Sequence, residues 1–194
     1  MRRFLIFFII FGMMVSLSMC IESTWKNSKT EVVSKESSED TNEVNLVIKG
    51  QPVTLVLRTT VREALSTKLI NTNDSDIVKN YLNHKIIYLE YNRSLPLEEG
   101  KVTVIDLSMK LGFLKPLYGH LVVDDSVFKN ESEREKVKAS NITLIIRVVR
   151  GNRSATIEKI DDRTYVIEGN SLKELDKAES RFVLAIYRGI AENS

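Results

Sequence analysis

Hydrophobic and polar positions divide this chain into three parts. Residues 4 to 15 form an unbroken apolar run, residues 21 to 43 are almost entirely polar, and apolar positions recur periodically from residue 44 onward. A segment as polar as the second part cannot bury enough apolar surface to offset its conformational entropy. The pattern therefore predicts a signal peptide or membrane anchor at 1–20, a flexible Ser/Thr/Lys/Glu-rich linker at 21–43 and one folded domain at 44–194.

The domain opens with a predicted hairpin and helix. Apolar residues alternate with polar ones at 44–49 and 53–58, on either side of Gly50-Gln51-Pro52, which is a hairpin signal. Thr60 and Glu63 then have the spacing of a capping box, which marks a helix start. The apolar face of that predicted helix consists of Val61, Ala64, Leu65 and Leu69.

A hairpin that leads into a helix through a Thr-Val pair resembles the start of a β-grasp fold of the sulfur-carrier type. The resemblance covers about 27 residues. Sulfur carriers act through a C-terminal Gly-Gly, whereas this chain ends in Ala191-Glu192-Asn193-Ser194. The resemblance therefore implies a local fold and does not imply the chemistry of the carriers.

The remaining patterns predict a mixture of strands and helices. They indicate a short helix near 76–83, strands at 85–91, 101–109 and 120–128, strands within 141–151, 154–160 and 163–169, and a helix from a capping box at Ser171 to about Arg188, ended by Gly189. The apolar segment 111–119 is expected to be a buried loop, or alternatively the hydrophobic lip of a binding surface. Together these elements predict an α+β fold with a mostly antiparallel sheet and helices packed on one face.

Three interpretations of residues 1–20 remain open. Leu17-Ser18-Met19-Cys20 resembles the lipobox of lipoprotein precursors, although Met19 stands where that motif has Gly, Ala or Ser, and the resemblance implies lipidation of Cys20. Ordinary cleavage after Ser18 is the second interpretation. The third is an uncleaved anchor, because the 18 apolar or small residues at 4–21 reach the lower edge of the roughly 17 to 25 that span a bilayer. All three predict an extracytoplasmic domain, and two of them predict a membrane-anchored one.

Charge and cysteine content exclude two classes of protein. Cys20 is the sole cysteine, so the domain cannot depend on internal disulfides. Lys and Arg total 28 and Asp and Glu total 26, and Arg2 and Arg3 account for the excess. The chain that remains after the signal segment is therefore neutral, which argues against nucleic acid as a partner.

Candidate catalytic chemistry is sparse. The sequence contains no G-x-S-x-G, H-E-x-x-H, P-loop or C-x-x-C motif, and no metal or cofactor is predicted. The loop at 71–76 fails the EF-hand pattern. Asp124, Asp125 and Asp106 follow or lie in predicted strands and could meet at one sheet end as an acid/base pair or a cation site. His84 and His120 each begin a predicted strand and are expected to be structural or surface residues.

Five Asn-x-Ser/Thr sequons are possible glycosylation sites in a cell that has N-glycosylation. They are Asn73, Asn92, Asn130, Asn141 and Asn152, of which the first three are expected in loops.

Two functional hypotheses follow from the sequence. The first is a non-catalytic binding or structural module of the cell envelope, tethered to the membrane through lipid on Cys20 or through an uncleaved N-terminal segment. Its partner would be another envelope protein or a small ligand, bound at a sheet edge or at 111–119. The alternative is a secreted hydrolase or transferase that uses Asp106, Asp124 or Asp125 with His120. The absence of a catalytic motif favours the first hypothesis.

Overall fold

A computed structural model describes residues 39–91 and 97–194, with the backbone alone for residues 97–100. The predicted signal segment, most of the predicted linker and the sequon at Asn92 lie outside the described residues. The strands are β1 (Glu43–Ile48), β2 (Gln51–Val56), β3 (Lys68–Ile70), β4 (Ile86–Tyr91), β5 (Leu121–Asp124), β6 (Thr143–Arg150), β7 (Thr156–Asp161) and β8 (Thr164–Gly169). The helices are α1 (Val61–Leu65), α2 (Asp74–Asn83), α3 (Leu97–Phe113), α4 (Lys115–Tyr118), α5 (Glu131–Ala139) and α6 (Leu172–Glu192), and a 3-10 turn spans Asp125–Val127.

Two sheets organise these strands. β1 and β2 form a separate antiparallel hairpin, and the other strands form a six-stranded sheet in the order β3-β7-β8-β6-β4-β5. Within the larger sheet only β7 and β8 pair antiparallel, and the other four pairs are parallel. The α+β class is confirmed, whereas the prediction of a mostly antiparallel sheet is wrong. Parallel neighbours need crossover connections, and α3 and α5 provide them between β4, β5 and β6.

The predicted strand at 101–109 is wrong, because these residues belong to α3. Val102, Thr103 and Ile105 have side chains that favour strands. Burial overrides this propensity, because the fully or nearly buried apolar positions recur every three or four residues, as on a helix. Those positions are Val104, Leu107, Leu111 and Leu114.

The segment 111–119 is not a loop. Leu111 and Phe113 complete α3, and the short helix α4 follows it. Gly119 ends α4 in the left-handed conformation with a φ of 74°. Leu111 and Leu114 are buried, as predicted, but Phe113 is exposed to solvent.

The predicted hairpin and capping box are confirmed. Lys49 and Gly50 both have positive φ angles, of 49° and 75°, as a tight two-residue hairpin turn requires. The Thr60 hydroxyl accepts a hydrogen bond from the backbone N–H of Glu63. However, α1 ends at Leu65, and Leu69 lies in β3. The hairpin also stands apart from the main sheet, so the β-grasp resemblance does not extend to the whole domain.

Helix α6 is the centre of the core. It contacts α1, α2, α3, β1, β7 and β8, and Phe182, Val183, Leu184 and Ile186 are fully buried. Gly189 does not end this helix, contrary to the prediction. A Cβ at Gly189 would lie 2.4 Å from Cγ2 of Val78, so glycine allows α2 and α6 to approach closely.

The main sheet has one apolar and one partly polar face. Ile87, Ile146 and Ile167 are core residues on the face that α3 and α6 cover. Helix α5 contacts β6, and its Lys138 reaches Glu90 of β4. The prediction that all helices pack on one face is therefore wrong for α5. In the described part of the chain, no helix combines the length and the apolar character needed to cross a membrane.

Candidate interaction surface

The structure does not bring the four candidate catalytic residues together. Asp106 lies on α3 and forms an ion pair with Lys110. Asp124 accepts a hydrogen bond from the backbone N–H of Ser126 at 2.7 Å. Asp125 accepts one from the Tyr88 hydroxyl on another strand. His120 precedes β5, at the end of the strand opposite to the two aspartates.

Both histidines have structural surroundings. His120 is 4% exposed, and its ring centroid lies 4.4 Å from that of Tyr81. Burial lowers the pKa of His120. His84 is also buried, and its Nδ1 lies 2.7 Å from the backbone oxygen of Asn80. Within residues 39–91 and 97–194, no group of three His, Cys, Asp or Glu side chains is arranged to hold a metal ion.

The asparagines of the sequons that the structure describes are all exposed, although Thr143 of the sequon at Asn141 is buried. Asn73 and Asn130 are helix caps, because their side-chain oxygens each accept a hydrogen bond at 2.9 Å from a backbone N–H in the first turns of α2 and α5. Helix α2 begins at Asp74, two residues before the predicted start near residue 76. Asn141 and Asn152 lie in turns outside the helices and strands.

A charged network crosses the partly polar face of the main sheet. Glu90 of β4 accepts hydrogen bonds from Lys138 at 2.8 Å and from Arg147 at 2.6 Å. Burial works to raise the pKa of Glu90, but these two cations outweigh it and the pKa is lowered. Arg134 lies 4.0 Å from Asp125. Each carboxylate here has a cationic partner, so the network holds α5 against the sheet.

A second ionic network is buried between α3 and α6. Glu179 of α6 is fully buried, and its Oε1 lies 3.2 Å from Nζ of Lys110, which also pairs with Asp106. The Ser180 hydroxyl lies 3.3 Å from the other oxygen of Glu179. Desolvation, opposed by Lys110 and assisted by the nearby Asp106, raises the pKa of Glu179 to about 8.

Two tyrosines reinforce this inner side of α3. The hydroxyl of Tyr187 donates to the backbone oxygen of Lys110 at 2.7 Å, and that of Tyr81 donates to the backbone oxygen of Leu111 at 3.4 Å. Lys110 and these tyrosines link α3 to α6 and α2. The helix is therefore fixed in its rotation about its own axis, which fixes the side chains that it presents outward.

The opposite side of α3 carries an exposed apolar stripe, which we call the α3 stripe. It consists of Val102, Ile105, Met109 and Phe113, whose exposed fractions are 40%, 55%, 70% and 63%. Spacings of three and four residues place the four side chains along one helix face. Their combined exposed area is on the order of 400 Å², within the range of apolar patches that serve binding.

Sequence reasoning missed this surface because residues 101–109 were assigned to a strand. A strand would send Val102 and Ile105 to opposite faces. The spacing of apolar residues in 102–114 is the signal that identifies a helix with two apolar faces. The segment 111–119, for which a hydrophobic lip is the alternative prediction, contributes Phe113 to this exposed surface, whereas Leu111 is buried.

Other candidate surfaces are less suited to binding a partner. The edge strands β3 and β5 have three and four residues, which limits strand addition by another chain. A groove of about 690 Å³ lies between α2 and α6. Its lining mixes Asp74 and Glu192 with Lys79 and Arg188, so it selects neither charge. The α3 stripe is therefore the candidate interaction surface.

The fold and this surface define an α+β protein with a mixed sheet and an outward-facing apolar helix. The chain is 33% identical to the uncharacterized protein MJ0259 of Methanocaldococcus jannaschii, over 97% of this chain and 98% of the relative. The chain belongs to the same protein family as that archaeal protein. No family model matches the sequence, and no solved structure matches it. Coverage of 97% means that the alignment includes most of the N-terminal segment as well as the domain.

Proposed function

We propose that this protein is a non-catalytic binding module of the cell envelope, tethered to the outer side of a membrane through lipid on Cys20. The observation that carries the binding role is the α3 stripe. An exposed row of large apolar side chains on a rigid helix is costly in water and is typical of a protein contact surface.

The anchoring of α3 supports this proposal. A helix that is held on its inner side by Lys110, Tyr187 and Tyr81 presents its outer side chains with little freedom. Binding to such a surface requires little ordering of the helix, and preorganisation of this kind favours affinity.

The alternative of a secreted hydrolase or transferase has less support. A general acid or base must lie within hydrogen-bond reach of the proton it transfers, directly or through one water. Asp106 forms an ion pair with Lys110, and Asp125 accepts a hydrogen bond from the Tyr88 hydroxyl. Asp124 accepts a hydrogen bond from the backbone N–H of Ser126 in the turn that it caps. His120 is stacked among aromatic rings. We therefore assign these residues structural roles.

The tether is supported by the sequence of the N-terminal segment. Arg2 and Arg3 precede the apolar run, and Cys20 follows it at the position of a lipidated cysteine. The predicted polar linker at 21–43 follows Cys20 directly and would connect the lipid to the domain. The domain would then meet partners close to the membrane surface.

Cell fractionation with mass spectrometry of the N-terminal peptide tests the tether. We expect wild-type protein in the membrane fraction with a lipid-modified Cys20 as its first residue, and Cys20→Ser protein altered in processing and released from that fraction. An intact N-terminus in the membrane fraction for both proteins would show that an uncleaved anchor, and not lipid on Cys20, holds the protein to the membrane. An unmodified terminus at Met19 in the soluble fraction would overturn the tether.

A further inference from the structure

Gly112 extends the α3 stripe into a regular seam. Val102, Ile105, Met109 and Gly112 are separated by three, four and three residues, the spacing by which one helix packs along another. Phe113 lies beside Gly112 at the edge of this seam. The seam thus has three apolar side chains and one position without a side chain.

The domain itself gives no reason for glycine at this position. A Cβ at Gly112 would have no atom within 4 Å, and its φ is not in the left-handed region. Gly112 lies in the last turn of α3, where its conformation is still helical, and glycine within a helix is less favourable than alanine. Gly189, by contrast, is required by the contact with Val78. Gly112 therefore suits close approach by a helix that is not part of this domain.

The seam is complementary to itself under twofold symmetry. When two copies of α3 run antiparallel, with the axis beside residue 107, Val102 of each copy meets Gly112 of the other. Ile105 of each copy meets Met109 of the other. Isologous contacts pair residues reciprocally in this manner. At each end of the seam, the side chain of Val102 then lies opposite the missing side chain of Gly112. On either side of the axis, the large side chains of Ile105 and Met109 meet.

We propose that the partner of the α3 stripe is a second copy of this chain, bound antiparallel through Val102, Ile105, Met109 and Gly112. The dimer would place two domains side by side through their α3 helices. This inference names the partner for the surface in the proposed function, and in that respect it rests on that function.

The expected dimer is weak in solution. Helix α3 has 17 residues and is about 25 Å long, and the stripe covers less than the roughly 800 Å² per partner of a standard stable interface. Confinement of both copies to one membrane raises their effective concentration and favours association without new contacts.

A lipid surface is a less suitable occupant of the stripe. Helices that lie on membranes have a broad apolar face bordered by basic residues. The seam is narrow, and Asp106, with a quarter of its side chain exposed, lies beside Val102 and Met109 on the helix surface. Because Asp106 is paired with Lys110, this border has no excess of basic charge to attract anionic lipid.

Self-association of the full chain in a mild detergent tests the proposal by sedimentation over a concentration series. We expect Ile105→Glu to weaken dimerisation at least tenfold, because a charge enters both copies of an apolar seam. Ile160→Glu is the matched control, because Ile160 has the same 55% exposure but lies on β7. Both positions are exposed enough to tolerate the change. Equal dimerisation of the two variants would overturn the proposal.

Gly112→Ala provides a second test, which distinguishes a role of Gly112 in dimerisation from a role in the stability of the monomer. Alanine should stabilise the folded monomer through helix propensity while it weakens dimerisation through the lost close approach. Stabilisation of the monomer with unchanged dimerisation would contradict close packing at Gly112.

Cysteine cross-linking in a Cys20→Ser background tests the orientation. Mixed Ile105→Cys and Met109→Cys proteins should form an intermolecular disulfide. Val102→Cys alone should not, because its two copies would stand about 15 Å apart along an antiparallel pair. A disulfide from Val102→Cys alone would indicate a parallel pair and overturn the arrangement.

The outcomes separate this inference from the tether. Monomeric wild-type protein, with binding to lipid vesicles that Ile105→Glu abolishes, would assign the stripe to lipid and end the dimer proposal. Dimerisation without membrane association would retain the dimer and remove the tether. The two results are independent, because fractionation tests the attachment through the N-terminal segment and sedimentation tests dimerisation through α3.

Discussion

Raising the pH from about 5 to about 8 is expected to destabilise the folded domain through Glu179 by roughly 3 kcal/mol. Glu179 is fully buried, and its pKa is raised from 4.5 to about 8, chiefly by desolvation. Between these two values the folded state keeps a proton that the unfolded state has released. The stabilising contribution of the protonated carboxyl is complete below pH 4.5 and is lost as the pH rises through 8.

Other groups act with different signs in the same experiment. The lowered pKa of His120 makes the folded state less stable below about pH 6.5, where the unfolded histidine is protonated. The lowered pKa of Glu63 stabilises the folded state above about pH 4.5, and this contribution changes only when the pH falls below that value. A comparison with Glu179→Gln isolates the glutamate, because glutamine has a similar size and does not titrate.

Urea unfolding of the full chain, followed by circular dichroism at several pH values, measures the difference. We expect wild-type stability relative to Glu179→Gln to decline with pH, and the variant to become the more stable protein at high pH. Parallel stability curves for the two proteins would show that Lys110 keeps Glu179 ionised in the fold, with the carboxylate and ammonium balanced.

Gly169→Ala is expected to lower the free energy of unfolding by about 3 kcal/mol. Gly169 ends β8 immediately before α6, and a Cβ there would lie 2.5 Å from the backbone nitrogen of Leu175 and 2.7 Å from the backbone carbon of Glu174. Backbone atoms inside the first turns of a helix cannot move aside as a flexible side chain can. The strand end and the helix would have to separate.

Gly112→Ala is the matched control for this substitution at concentrations where the protein is monomeric. The same methyl group meets no atom within 4 Å at Gly112, and it should stabilise by about 0.5–1 kcal/mol. Urea unfolding compares the two variants with wild type. A loss at Gly169 no larger than the change at Gly112 would show that the start of α6 readjusts without strain.

Local patterns identified most elements of the fold. The alternation in 44–58, the capping box at Thr60 and the β-branched run that became β6 each reflect forces within a few residues, and all three predictions are confirmed. The prediction of a strand at 101–109 was wrong because the strand propensity of these residues and the helical spacing of their apolar positions disagree. The outcome depended on burial against α6 and the sheet, which local sequence does not show.

The direction of the strands could not be read from the same patterns. Parallel pairing of β4 with β5 and β6 depends on the connecting helices, so the error at α3 carried over to the sheet. The prediction of a catalytic site that includes Asp106 depended on the same error. Asp106 was placed on a strand beside Asp124, whereas on α3 it pairs with Lys110. The stripe on the outer side of α3 could be recognised only after the helix was known.

The long separation in sequence between α6 and its partners affects the order in which the domain can form. This helix supplies contacts to the hairpin, to α1, to α2 and to α3, and β3 pairs with β7, almost ninety residues later. Contacts between residues so distant in sequence slow folding. The growing chain therefore cannot close this core before α6 has been synthesised. A core that closes late agrees with the proposed export, because a chain crosses a membrane more easily before it has folded.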